Sequence, residues 1–271
     1  MHAPSVMDAR LLSLREEVRR IERSGSAADE RPCLPFGISE VDERLAGGGL
    51  AWGLHEAAPA TPAVNDEAAA TLFLAGLAAR FATARGVGGQ VLWALTRRDL
   101  FAPGLALAGL TPDRLLYAEC RNDEEVLAVM EEGARHGSLA AMVGEVGRLA
   151  MASARRLQLA AEEGGGAALM LRRWRKADMD PLGLPSPALT RWRIACAPSQ
   201  PLAQEGIGAQ EGIGPYEGIG RARWHVALVR QRGGPPHDWI LEAPDAEARL
   251  ALAARSGDRP DQADAAHRRA A

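Results

Sequence analysis

The chain has 271 residues, of which 47% are apolar but only 4% aromatic, and a formal net charge of −3. A chain of this length buries roughly 70–75% of its unfolded surface without covalent staples, and its Ala/Leu richness favours helices around a modest sheet over an all-β fold. The charge excludes polyanion binding by the molecule as a whole, and three widely spaced cysteines, Cys33, Cys120 and Cys196, exclude a disulfide framework or a Cys-x-x-Cys zinc site.

Residues 8–23 set Leu11, Leu14, Val18 and Ile21 at helical spacing, which predicts an amphipathic helix. "SGSAADERP" (24–32) follows as a linker, so residues 1–33 form an N-terminal appendage. From residue 34 to 250 a core is expected. "GLHEA" predicts a strand, 66–84 a helix, 90–96 a strand, and 99–109 a short helix. "RLLYAE" predicts a strand and 123–135 a helix bearing Val126, Leu127, Met130 and Ala134. A strand over 139–146, a helix over 152–163 stopped by "GGG", and a strand over 167–173 complete the series. Apolar strands alternating with amphipathic helices specify an α/β fold, a mostly parallel sheet with helices on both faces.

The texture changes after residue 173. "LTRWRIACA" alternates as a strand, and "ARWHVALVRQRGGPPHDWILEA" predicts an antiparallel C-terminal hairpin around "GGPP". The Arg/Trp-rich hairpin region spans 172–241. Three EGIG copies spaced by six residues lie within it. Their glycines lack the strand–helix context of a phosphate cradle and mark an expanded flexible loop. Residues 251–271 are expected to be a flexible tail. The most apolar run, "ATLFLAGLAARFA", is interrupted by Arg80 and falls short of a bilayer span, so a cytoplasmic protein with no membrane contact is expected.

The junction between the first core strand and its helix has the outline of a nucleotide site. Such a site needs convergent N–H groups, glycines and a lysine. Here the matching positions are Ala57, Pro59, Pro62, Asn65, Asp66 and Glu67. The prolines donate no N–H, the sole lysine is Lys176, and no glycine falls within 57–65. Asn65 is a candidate N-cap, and Asp66 and Glu67 in the first turn take the electrostatic place of an anion. Glu145, after the strand "LAAMVG", is the one residue placed like a magnesium-orienting acid. Without a lysine it is expected to pair with an arginine at the strand ends. His55 is expected to be a satisfied, half-buried histidine. No cofactor, metal or catalytic residue is therefore assigned.

Ten basic and five acidic residues fall within 167–232. Arg172, Arg173, Arg175, Lys176, Arg191 and Arg193 bracket Trp174 and Trp192, and Arg221, Arg223, Arg230 and Arg232 follow around Trp224. Arginine meets phosphate bidentately and tryptophan stacks on bases, which fits single-stranded or primer-template DNA. The same pattern is produced by a strand with one wet and one packed face, and Arg and Trp are equally typical of protein interfaces.

"LPFGISEVDERLAGGGLAWG" (34–53) and the strand order after it resemble a RecA-type core. More closely, "LPFGISEVD…GGGLAWGLHE", "VLWALTRRDLFAPGLALAGLTPDRLLY", "AVMEEGARHGSLAAMVGEVGRL" and "ASARRLQLAAEEGGGAALMLRRW" resemble the ImuA family of damage-inducible mutagenesis cassettes, as do "ALTRWRIACAPS" and "RARWHVALVRQRGG". The likeness covers roughly residues 10–250. It implies a RecA-like core with a degenerate phosphate loop and a non-catalytic accessory role in SOS-induced translesion synthesis. The partners it implies are an ImuB-type polymerase adaptor, an error-prone C-family DNA polymerase and RecA. Two other readings stand beside it: a SulA-like inhibitor of the division protein FtsZ, and a degenerate RecA-type ATPase.

Overall fold

The computed structural model describes residues 33–86, 88–199 and 220–253. The expected helix over 8–23, the linker, the EGIG copies apart from Gly220, and most of the expected tail lie outside them. The tail begins differently from expectation: Ala251–Leu252 (β11) pairs with the preceding strand.

Two short strands, Cys33–Leu34 (β1) and Leu50–Ala51 (β2), close a lobe around the helix Ser39–Asp42 (α1). Asp42 holds that lobe by accepting N–H groups of Phe36, Gly37 and Ile38 at 2.6–3.2 Å. The glycine triplet has a mechanical cause. Gly47 and Gly48 adopt φ of 80° and 75°, and a Cβ on Gly49 would sit 2.6 Å from the Leu34 carbonyl oxygen.

Beyond the lobe runs the predicted rhythm: Leu54–Pro59 (β3), Val64–Ala84 (α2), Val91–Leu95 (β4), Ala102–Leu107 (α3), Leu115–Glu119 (β5), Asp123–His136 (α4), Ala141–Val146 (β6), Met151–Gly164 (α5) and Ala167–Arg172 (β7). Thr190–Ala197 (β8), Arg223–Gln231 (β9) and His237–Glu242 (β10) complete a nine-stranded sheet in the order β11-β10-β9-β8-β3-β7-β6-β4-β5. Strands β8 through β5 in that order pair in parallel. Strands β8 to β11 pair antiparallel, giving the expected C-terminal hairpin.

The two faces bury separate cores. Phe73, Leu77 and Phe81 of α2 pack with Trp93, Trp192 and Trp224 of the sheet on one face. Val126 and Met130 of α4 and Leu157 of α5 pack with Leu54, Met142 and Met170 on the other. α4 starts at Asn122, whose side chain accepts the Glu125 N–H at 2.9 Å. α5 stops at Gly165, which takes the left-handed φ of 65° that the "GGG" run foretells.

α2 is 21 residues long, and of the described helices it alone has the length and composition to cross a membrane. It is thus longer than the apolar run suggested. Two-thirds of its apolar stretch is buried within the fold, as befits a helix at the centre of a core. At the far edge of the sheet, β5 pairs, among the described residues, with β4 alone and exposes Leu116 and Tyr117.

Candidate functional site

Two charged networks flank the parallel strands, one at their carboxyl ends and one nearer the middle of β3. The first fills the corner where β3 passes into α2. Ala57 and Pro59 are buried in β3, and Pro62 is exposed in the connecting loop. The N-cap is Ala63, which supplies no side-chain bond. Asn65 therefore does not cap the helix; it sits exposed in the first turn. Asp66, in the first turn, ties the connecting loop and β8 to the helix start instead. Its carboxylate accepts the Thr61 N–H at 3.1 Å, the Thr61 hydroxyl at 2.7 Å and the Cys196 N–H at 2.8 Å. An acid reaching back from a helix start satisfies donors and opposes the positive helix end, the position a phosphate would take.

Arg173, just past β7, fills the space beside it. Its guanidinium donates to Glu145 Oε2 through Nη2 at 2.7 Å and Nε at 3.0 Å, and to Glu67 Oε2 at 3.2 Å. Asp99 lies 3.7 Å away. The other Glu145 oxygen accepts the Trp93 indole N–H at 2.7 Å. The arginine partner expected for Glu145 is thus present. Burial alone would lower the Arg173 pKa, but Glu145, Asp99 and Glu67 together hold it above its ordinary value. Trp174, half-buried, donates its indole N–H to the Pro59 carbonyl at 3.0 Å and covers the same corner.

The second network lies across the sheet. Glu56, wholly buried in β3, accepts Arg172 Nη1 at 3.3 Å, Arg191 Nε at 3.1 Å and the Ser186 hydroxyl. Burial pushes the Arg172 pKa down and Glu56 pulls it back up. Two guanidiniums share one carboxylate, and Arg172 Nε and Arg191 Nη2 are buried without a hydrogen-bond partner.

These placements correct several candidate contacts. Arg191 and Trp192 are buried, at 7% and 0% exposure. Each side chain is spent inside the fold and offers no free surface to DNA. Arg172, at 2%, is a buried part of a cleft wall and bonds to Glu56. Trp224 is likewise buried. Arg173 is internal, and Arg193 grips both oxygens of Asp180 at 2.8 Å. Arg223 is half-buried in β9. Arg230 is exposed but donates to the Ser186 and Ala188 carbonyls, at 3.2 and 3.0 Å. Arg175, Lys176 and Arg232 remain exposed. Arg148, not singled out in the sequence, joins Arg175 and Lys176 around the cleft.

His55 is fully buried rather than half-buried. Its Nε2 lies 2.7 Å from the Ala51 carbonyl and its Nδ1 2.7 Å from Thr190 Oγ1. The carbonyl can only accept, so Nε2 carries the proton and Nδ1 accepts the threonine hydroxyl. Trp192 donates to the same hydroxyl oxygen at 2.6 Å. Burial lowers the His55 pKa to about 4, with the Ala51 bond opposing, so the ring is neutral.

The chain matches no protein-family model. It is 36% identical over 221 residues to Protein ImuA of Caulobacter vibrioides, in strains NA1000/CB15N and ATCC 19089/CB 15 alike. The match covers 79% of this chain and 85% of those proteins. Among solved structures, SulA from Pseudomonas aeruginosa aligns at 20% identity with a TM-score of 0.38, over 44% of this chain and 97% of that one. Identity at this level, sustained over so much of both sequences, places the chain in the ImuA family.

Proposed function

We propose that this chain is a non-catalytic accessory of damage-induced mutagenic DNA synthesis, acting by recognition rather than by nucleotide hydrolysis. Membership of the ImuA family supports the cellular role. One observation carries the molecular part: the Arg173 guanidinium sits among Glu67, Glu145 and Asp99 at the strand ends. A nucleotide's outer phosphates at that corner would meet three carboxylates and displace a bonded arginine, at a strong electrostatic cost. The corner acts as a structural clamp, a degenerate counterpart of the phosphate loop in a RecA-like core.

Recognition then falls to the surface. The partners that fit the family are an ImuB-type adaptor, an error-prone C-family polymerase and RecA, with single-stranded or primer-template DNA reached through Arg175 and Lys176. Both side chains are exposed, and among the described residues neither has an ion-pair partner.

Deletion and complementation test the role. Damage-induced mutation frequency should fall on deletion and be restored by the intact chain. Co-purification with the adaptor should survive Glu145→Gln. Unchanged mutation frequency on deletion would refute the cellular role.

A further inference from the structure

We infer that the cleft beside β6 and β7 is a binding site for a phosphomonoester on a ligand of nucleotide size. The inference deepens the proposed function, since it rests on the 172–176 segment being a contact surface. The cleft has a volume of about 790 Å³ and runs between Gly147–Arg148 and the segment that leaves β7. That is the capacity of a small-ligand site, typically ~300–1,000 Å³.

Its charge is one-sided. Arg148, Arg172, Arg173, Arg175 and Lys176 line it against Asp178 and Asp180. Asp180 is already gripped by Arg193. Arg173 is spent on its three carboxylates. Arg148, Arg175 and Lys176 meet no carboxylate within ion-pair distance among the described residues.

A second, independent observation lies in the wall. Arg172 is 2% exposed, shares Glu56 with Arg191, and leaves its Nε without an acceptor. That Nε lies out of reach of solvent, so an anion in the cleft acts on Arg172 by charge alone: it balances the second guanidinium that the single Glu56 carboxylate leaves uncompensated. Backbone donors are not available to such an anion, because the Gly147 and Arg148 N–H groups are both taken by Asp123 Oδ2, at 3.1 and 3.0 Å. Side chains therefore read the ligand, and guanidiniums read phosphate in paired hydrogen bonds. Met179 and Leu184, both more than half exposed at the rim, offer an apolar wall to a sugar or base.

The phosphomonoester can belong to a free nucleotide or to the 5′ end of a DNA strand. Calorimetric titration of the full chain separates them. The probes are deoxythymidine monophosphate, thymidine, and one oligothymidylate prepared with a 5′-phosphate and with a 5′-hydroxyl. Binding of the monophosphate assigns the free nucleotide, and binding of the phosphorylated oligomer alone assigns the strand end. Either result supports the site if affinity falls about tenfold for each side chain removed in Arg175→Ala and Lys176→Ala, while Arg98→Ala changes nothing. Equal binding of both oligomers would overturn the inference in favour of backbone tracking. No binding of any phosphorylated probe would also overturn it. Neither failure touches the mutagenesis role, which the deletion strain judges separately.

Discussion

Arg173 binds Glu145 through two nitrogens that meet one carboxylate oxygen, while Trp93 holds the other oxygen. Glu145 is 3% exposed by side chain and Arg173 11%, so each is the other's main substitute for water. Removing one partner of a buried pair typically costs about 3–5 kcal/mol, because the survivor is left charged and dry. Arg173→Ala should lose that much in denaturant unfolding. Arg173→Met combined with Glu145→Gln should recover a good part of it.

Glu56 carries a heavier load than its neighbours in β3. Glu56→Gln keeps the shape but leaves Arg172 and Arg191 facing each other without an anion. About 3–5 kcal/mol should again be lost. The loss should shrink in a background where Arg191 is also changed to Met. A Glu56→Gln protein as stable as wild type would contradict the geometry.

Asp66 satisfies three donors, two from Thr61 and one from Cys196. Asp66→Ala strands them at the start of α2, with an expected cost of about 2–4 kcal/mol. Amide exchange should quicken in the first turn of α2 and near Cys196, and not in α4.

His55 predicts an acid-side weakness. The unfolded ring protonates near 6.5, while the folded ring stays neutral until about pH 4. Between those values the unfolded state binds the extra proton, so stability falls as the pH drops from 6.5 to 4. The total loss from this group is roughly 3 kcal/mol. Denaturation curves of His55→Gln should show a flatter pH dependence in that window than wild type, with no difference in slope above pH 7.

No ATP turnover above blank is expected with magnesium present, and Glu145→Gln should leave the signal unchanged. Turnover abolished by that substitution would mean that the Arg173 clamp opens.

Much of this was legible in the residues. The alternation of apolar strands with amphipathic helices foretold each core element from β3 to β7 and the final hairpin. The closed corner was also readable, since proline, acid and absent lysine are local facts. Strand order was not, because periodicity says which face is buried and nothing about which strand lies alongside. The Arg/Trp segments misled for a related reason. Arginine is usually a surface residue, yet Arg172 and Arg191 point at a buried acid. The available signal was Glu56 itself: a carboxylate in the middle of "LHEAAP" requires an internal cation. Asn65 has the residue type of a cap, yet the helix starts after Ala63 without a side-chain cap, and Asp66 bonds to Thr61 and Cys196 rather than to the helix. β11 is two residues long and offers no pattern to detect.

The ends of the sheet are unequal. Among the described residues, β11 covers only Leu241 and Glu242 of β10, whereas β5 offers five residues in one run, about 17 Å of unpaired backbone that carries the exposed Leu116 and Tyr117. Strand addition from outside is therefore directional. Among the described residues a visiting strand finds one continuous template at β5 and a stepped one at the other edge, broken between β10 and the two-residue β11, so copies of this chain that meet edge to edge at β5 consume the continuous template. The same asymmetry that leaves the molecule open to pairing thus disfavours its growth into a fibre.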